Sequence, residues 1–137
     1  MQDVVIRAAT VIDGSGSPGR VQDVALSGDR IVAVGNDVGP GRREIRAEGL
    51  LLTPGFVDIH THYDGQALWD ANLTPSSWHG VTTAVFGNCG VGFAPLTAGQ
   101  DKALINLMQG VEDIPEAVLA EGIDFSWETF PQYLQRL

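Results

Sequence analysis

Three side chains in this sequence have the types and spacing to hold a metal ion. His60-Thr61-His62 follows an apolar run, Phe56-Val57-Asp58-Ile59. Side chains alternate faces along a strand, so His60 and His62 share one face, and Asp58, of the same parity, joins them. Two neutral imidazoles on one face reach a single cation and suit Zn, Ni or Fe(II). Downstream, Val81-Thr82-Thr83-Ala84-Val85-Phe86 is strongly β-prone and ends at Gly87-Asn88-Cys89-Gly90. If the two strands are parallel neighbours, His60, His62 and Cys89 meet at one rim, and the carboxyl ends of parallel strands are where ligands bind. Cys89 there serves as a thiolate ligand or as a nucleophile; the plainer alternative is a small apolar filler. Asp64 follows the histidines and is a candidate to orient an imidazole by accepting its N–H, as is Asp58. Asp64 could equally cap a turn.

The elements that must position these groups fall into two parts. Residues 1–52 read as a small β domain. Val4-Val5-Ile6 and Thr10-Val11-Ile12 are short β-branched runs, followed by the turn signal Asp13-Gly14-Ser15-Gly16. Val24-Ala25-Leu26 and Ile31-Val32-Ala33-Val34-Gly35 flank Gly28-Asp29 and predict a hairpin. Ile45 and Leu50-Leu51-Leu52 close this part, a small sheet or sandwich without a catalytic cluster. Residues 53–137 alternate strand and helix, the grammar of a parallel α/β sheet. Thr74 (N-cap), Pro75 and Gly80 predict a short helix. Ala103, Leu104, Leu107 and Met108 predict one helical face ending near Gly110. Pro115 to Gly122 is a further helix candidate, and Thr129-Phe130-Pro131-Gln132 has the form of a capping box. Trp69 and Trp78 read as packing residues, His79 as a helix C-terminal residue, and the acidic stretch from Glu112 to Glu121 as a solvated helix face.

Composition narrows the function. The chain has 137 residues, 44% of them apolar and 18% charged, and a formal net charge of −9. This is a globular composition, too short for a closed (β/α)₈ barrel, which needs roughly 200 residues. The acidic balance argues against nucleic acid as a partner, and no apolar run approaches a membrane span. The amino terminus lacks the pattern of a signal peptide. Cys89 is the one cysteine, so no intrachain disulfide forms, and a reducing, cytoplasmic location is expected. The charge is uneven: residues 1–50 carry six Arg and seven acids, whereas residues 51–137 carry Lys102 and Arg136 against ten acids.

Thr53-Pro54-Gly55-Phe56-Val57-Asp58-Ile59-His60-Thr61-His62 resembles the first-strand signature of the amidohydrolase superfamily. Leu73-Thr74-Pro75-Ser76-Ser77-Trp78-His79-Gly80-Val81-Thr82-Thr83 and Gly87-Asn88-Cys89-Gly90 are similar to its N-acyl-D-amino-acid deacylase branch, as are Val111-Glu112-Asp113-Ile114-Pro115 and Trp127-Glu128-Thr129-Phe130-Pro131. The resemblance implies an α/β fold: a small β-sandwich-like domain built from both chain ends, followed by a metal-dependent (β/α)₈ barrel. This chain would hold only the opening βα units of that barrel. The resemblance also implies hydrolysis of a small N-acyl-D-amino acid to a carboxylate and a free D-amino acid, with zinc as cofactor. His60 and His62 would ligate one metal position, with Cys89 as a zinc ligand able to lie between two. The remaining metal-binding histidines and the catalytic aspartate, which serves as general base, would lie beyond Leu137. The chain is therefore expected to be an amino-terminal portion, inactive alone and completed by a further segment or second chain. A non-catalytic metal-binding or assembly module and a cyclic-amide hydrolase are the alternatives. Gly-Asn-Cys-Gly argues against the last.

Overall fold

The computed structural model describes residues 1–137 and divides them into two compact units, Met1–Pro54 and Gly55–Leu137.

The first unit is a five-stranded sheet. Its central strand β1 spans Gln2–Val11. On one side lies the antiparallel pair β2 (Arg20–Ser27) and β3 (Arg30–Gly35). On the other edge, β4 (Gly41–Arg46) runs parallel to the first half of β1, and β5 (Leu51–Leu52) to its end. The two β-branched runs of the sequence are thus one strand. They look separate because a bulge interrupts them: Ile6 faces Val24 and Ala9 faces Gln22, so Arg7 and Ala8 together oppose Asp23. Ala8 takes φ +55° there, and its freed N–H donates to Asp23 Oδ1 at 2.8 Å. The predicted hairpin is present, with Gly28 at φ +57° in its two-residue turn. Val5, Ala25 and Val38 form the buried centre of this unit.

The second unit begins with the parallel pair β6 (Phe56–Thr61) and β7 (Val81–Phe86). A Cβ on Gly55 would stand 2.1 Å from Thr82 Oγ1, so only glycine lets the chain enter β6 this close to β7. The segment joining them holds the predicted short helix as a 3-10 helix, Ser76–His79, ended by Gly80 at φ +87°. Thr74 does not cap it, because its hydroxyl and backbone N–H both donate to Asp70 Oδ2. Asp70 also accepts from Gln66 and Asn72, and these bonds hold its carboxyl well below the usual range. The loop between the strands is therefore organised around an acid whose role the sequence did not reveal.

Three helices follow: α1 (Asp101–Glu112), α2 (Glu116–Gly122) and α3 (Phe130–Leu134). Helix α1 runs through Gly110 to Glu112 and buries Leu104, Ile105 and Met108; Leu107, placed on the buried face by sequence, is exposed. The capping box of α3 is as expected, with Gln132 Oε1 accepting the Thr129 N–H at 2.8 Å. The core gathers Phe93, Leu104, Ile105, Met108, Leu119, Ile123, Trp127 and Tyr133. Trp69 packs against Gly122, whereas Trp78 is 78% exposed and does not pack as expected. No helix is long and apolar enough to cross a membrane.

Candidate metal centre

The centre is built where β6 and β7 end. Thr61 pairs with Phe86, so His62 leaves one strand as Gly87 leaves the other. Two bonds fasten these ends together: the Thr61 hydroxyl donates to Val85 O at 3.0 Å, and Asn88 Nδ2 donates to Ile59 O at 2.8 Å. Asp58 Oδ1 accepts the His60 backbone N–H at 3.2 Å, fixing the approach to the histidines. The turn after β7 needs glycine at both ends: Gly87 lies at φ +77° and Gly90 at φ +94°, where a side chain is strained. The bend swings Cys89 back towards the histidines.

One ligand atom each from His60, His62 and Cys89 lies within 4.8 Å of the other two. The imidazole centroids are 5.3 Å apart. His60 is exposed, while His62 and Cys89 are half-buried, so the group opens to solvent on one side. Cys89 Sγ accepts the Val91 N–H at 3.4 Å and donates to Val91 O at 3.5 Å, which holds the side chain within its own turn. Ligand atoms around tetrahedral zinc stand about 3.3–3.8 Å apart, given bonds of about 2.0–2.3 Å. The three atoms therefore need to close by only about 1 Å, within the reach of side-chain rotation. Two imidazoles and a thiol also match the ligand chemistry of zinc.

Asp64 lies beneath this turn, only 4% exposed. Its Oδ1 accepts the Phe93 N–H at 3.4 Å, and a Cβ at Gly87 or Gly92 would stand 3.8 or 3.9 Å from that oxygen. Burial pushes its carboxyl up, against the pull of backbone N–H groups. Tyr133 donates its hydroxyl to Asp64 O at 2.7 Å, and burial together with the nearby Asp64 pushes the phenol up as well. Asp64 thus bonds to the backbone of the segment that follows Cys89.

One residue at the rim escaped the sequence reading. His62 Nε2 lies 3.1 Å from Glu112 Oε2, at the last residue of α1. Glu112, expected on a solvated helix face, has a side chain only 19% exposed. A contact across fifty positions leaves no local pattern.

The profile described as the amidohydrolase family matches residues 43–137. The chain belongs to the amidohydrolase family. The D-aminoacylase of Alcaligenes xylosoxydans xylosoxydans is 38% identical over 98% of this chain. The N-acyl-D-aspartate deacylase of the same organism is 46% identical over 77% of it. A solved D-aminoacylase structure, described as having a binuclear metal center, matches all of this chain with a TM-score of 0.80 at 40% identity. The structure of N-acyl-D-glutamate deacylase from Bordetella bronchiseptica, complexed with zinc and a phosphonate inhibitor, matches 73% of this chain with a TM-score of 0.66 at 36% identity. The chain spans 26% and 22% of the two Alcaligenes enzymes, and 27% and 21% of the two structures. The α/β architecture expected from the sequence matches that of the amino-terminal part of D-aminoacylase.

Proposed function

We propose that this chain carries the first metal ligands of a zinc-dependent enzyme that hydrolyses N-acyl-D-amino acids to a carboxylate and a D-amino acid. The observation that carries this reading is the convergence of His60, His62 and Cys89 to within 4.8 Å at the ends of two parallel strands. The zinc-bearing deacylase structure, alike at 36% identity, supports it.

The chemistry zinc supplies when bound is Lewis-acid polarisation of the amide carbonyl and acidification of water. The chain's own residues do the holding. His60 and His62 present imidazoles from one strand end, and the Asn88 bond to Ile59 keeps the Cys89 turn against that strand. Asp58 and Asp64 fix the backbone on either side of the histidines. The general base is proposed to come from a segment beyond Leu137, on the same or a second chain, in a cytoplasmic setting that keeps Cys89 reduced.

The test is an assay of the 137-residue chain, and of a longer protein containing it, with zinc and an N-acetyl-D-amino acid. Zinc-dependent turnover is expected from the longer protein, abolished by Cys89→Ala, with none from the 137 residues alone. Turnover by the short chain, or a Cys89→Ala variant of full activity, contradicts the reading. The exposed apolar side chains of Phe56, Val57, Ile59 and Val85 favour a second reading, a metal-binding assembly module. A monomer that binds no metal in sizing experiments counts against it.

A further inference from the structure

We infer that Tyr133 is a positioning residue of the metal centre, closing a brace that sets the spacing of the two ligand-bearing segments from behind; this rests on the ligand set proposed above. The brace is a ring of contacts. The Tyr133 hydroxyl donates to Asp64 O at 2.7 Å, and Asp64 Oδ1 accepts the Phe93 N–H at 3.4 Å. Phe93 O accepts the Trp127 indole N–H at 2.7 Å, and the Trp127 and Tyr133 rings, 5.1 Å apart and tilted by 54°, complete the circuit. All four residues are buried. Asp64 stands two positions after His62, and Phe93 four after Cys89. The strand ends are already tied in front by Thr61 to Val85 and by Asn88 to Ile59. With the brace behind, both segments are held on two sides, and a ligand set gains affinity when its supports fix it before the metal arrives.

The construction of α3 is a second observation. Five residues are too few for a helix to persist by itself, yet this one has a capping box between Thr129 and Gln132 and a proline in its first turn. Its approach is pinned as well, since Glu128 O accepts the Leu96 N–H at 2.9 Å. The one residue it buries is Tyr133. A short helix with this much local support and a single buried side chain serves to place that side chain. The hydroxyl meets a backbone carbonyl that burial would otherwise leave unpartnered.

Tyr133→Phe tests this in the 137-residue chain, because it keeps the ring and its packing and removes one hydrogen bond. Zinc affinity, read by competition with a chromophoric chelator, is expected to fall about 5–10-fold. In the zinc-free chain, amide hydrogen exchange is expected to quicken at Val91 and Phe93 and to stay unchanged in β1 and β2. Ile105→Val, in the same core but outside the ring, serves as the control: it should lower the unfolding midpoint and leave zinc affinity alone. Unaltered zinc affinity in Tyr133→Phe, or an equal fall in Ile105→Val, overturns the inference, as does exchange at Val91 and Phe93 that ignores the lost hydroxyl. A wild-type chain that binds no zinc, with exchange that still depends on Tyr133, would fail the ligand set and leave the brace standing.

Discussion

Charge is handled in opposite ways in the two units. In Met1–Pro54 an arginine stands at the sheet bulge with its fork fully used: Arg7 Nη1 donates to Asp23 at 2.8 Å, Nη2 to Gly39 O at 2.9 Å, and Nε to Glu44 at 3.1 Å. Acid and base satisfy each other there. In Gly55–Leu137 the buried core lies among the loops and helices, around Phe93, Met108, Trp127 and Tyr133. The strand faces are left open, with Ile59 65% exposed. The hydrophobic effect in the second unit therefore fixes segments that follow the strands, and those segments carry Cys89, Asp64 and Glu112. A site built on loops gains its rigidity from this packing.

The sharpest way to break that contrast is to empty the second core. Trp127 is buried and donates its indole N–H to Phe93 O at 2.7 Å, directly behind the Asp64 brace. Trp127→Ala is expected to destabilise the second unit by about 3–5 kcal/mol and to abolish zinc binding. Val5→Ala, at the centre of the first, is expected to cost about 1.5–2 kcal/mol and to leave zinc binding alone. Denaturant unfolding alongside zinc titration checks both.

A smaller effect is expected at the start of β6. In Gly55→Ala the new methyl meets Thr82, and strain of about 1–3 kcal/mol is expected, visible as a lower unfolding midpoint. Gly55→Ala combined with Thr82→Gly should recover most of it, since the clash is with that side chain.

The smallest effect belongs to the first unit. Hydrogen bonds from Arg7, then from the Gly41 N–H, hold the Glu44 carboxyl at about 2, against an ordinary value near 4.5. A carboxylate whose folded pKa is depressed stabilises the fold above its unfolded pKa, and that contribution is lost as pH falls through the folded value. The first unit should therefore weaken between about pH 4.5 and pH 2, and Glu44→Gln should flatten that slope. Circular dichroism against pH reads the difference, which is modest because the pair is exposed.

What the sequence disclosed and what it hid follow the same division. Local patterns survived folding. The period of two placed His60 beside His62, the Gly28 turn made its hairpin, and Thr129 with Gln132 made its capping box. Strand β4 stayed hidden because Gly41-Arg42-Arg43-Glu44-Ile45-Arg46 carries one apolar side chain, and only its ladder with β1 makes it a strand. The bulge at Ala8 disguised one strand as two. Gly110 looked like a helix stop, but packing of Leu104, Ile105 and Met108 carries α1 past it. Glu112 lies next to His62 through tertiary structure alone. The candidate site was thus legible where local patterns set the ends of two strands, and illegible where a helix end arrives from elsewhere.

The central claim is that His60, His62 and Cys89 form one metal site. Titrating the 137-residue chain with cobalt(II) as a spectroscopic stand-in for zinc tests it most directly. One ion per chain is expected, with thiolate-to-cobalt charge-transfer absorption that disappears in Cys89→Ala, and with affinity lost in His60→Ala and His62→Ala. Cobalt binding that is unchanged in all three variants, or a wild-type spectrum without thiolate ligation, would contradict the account.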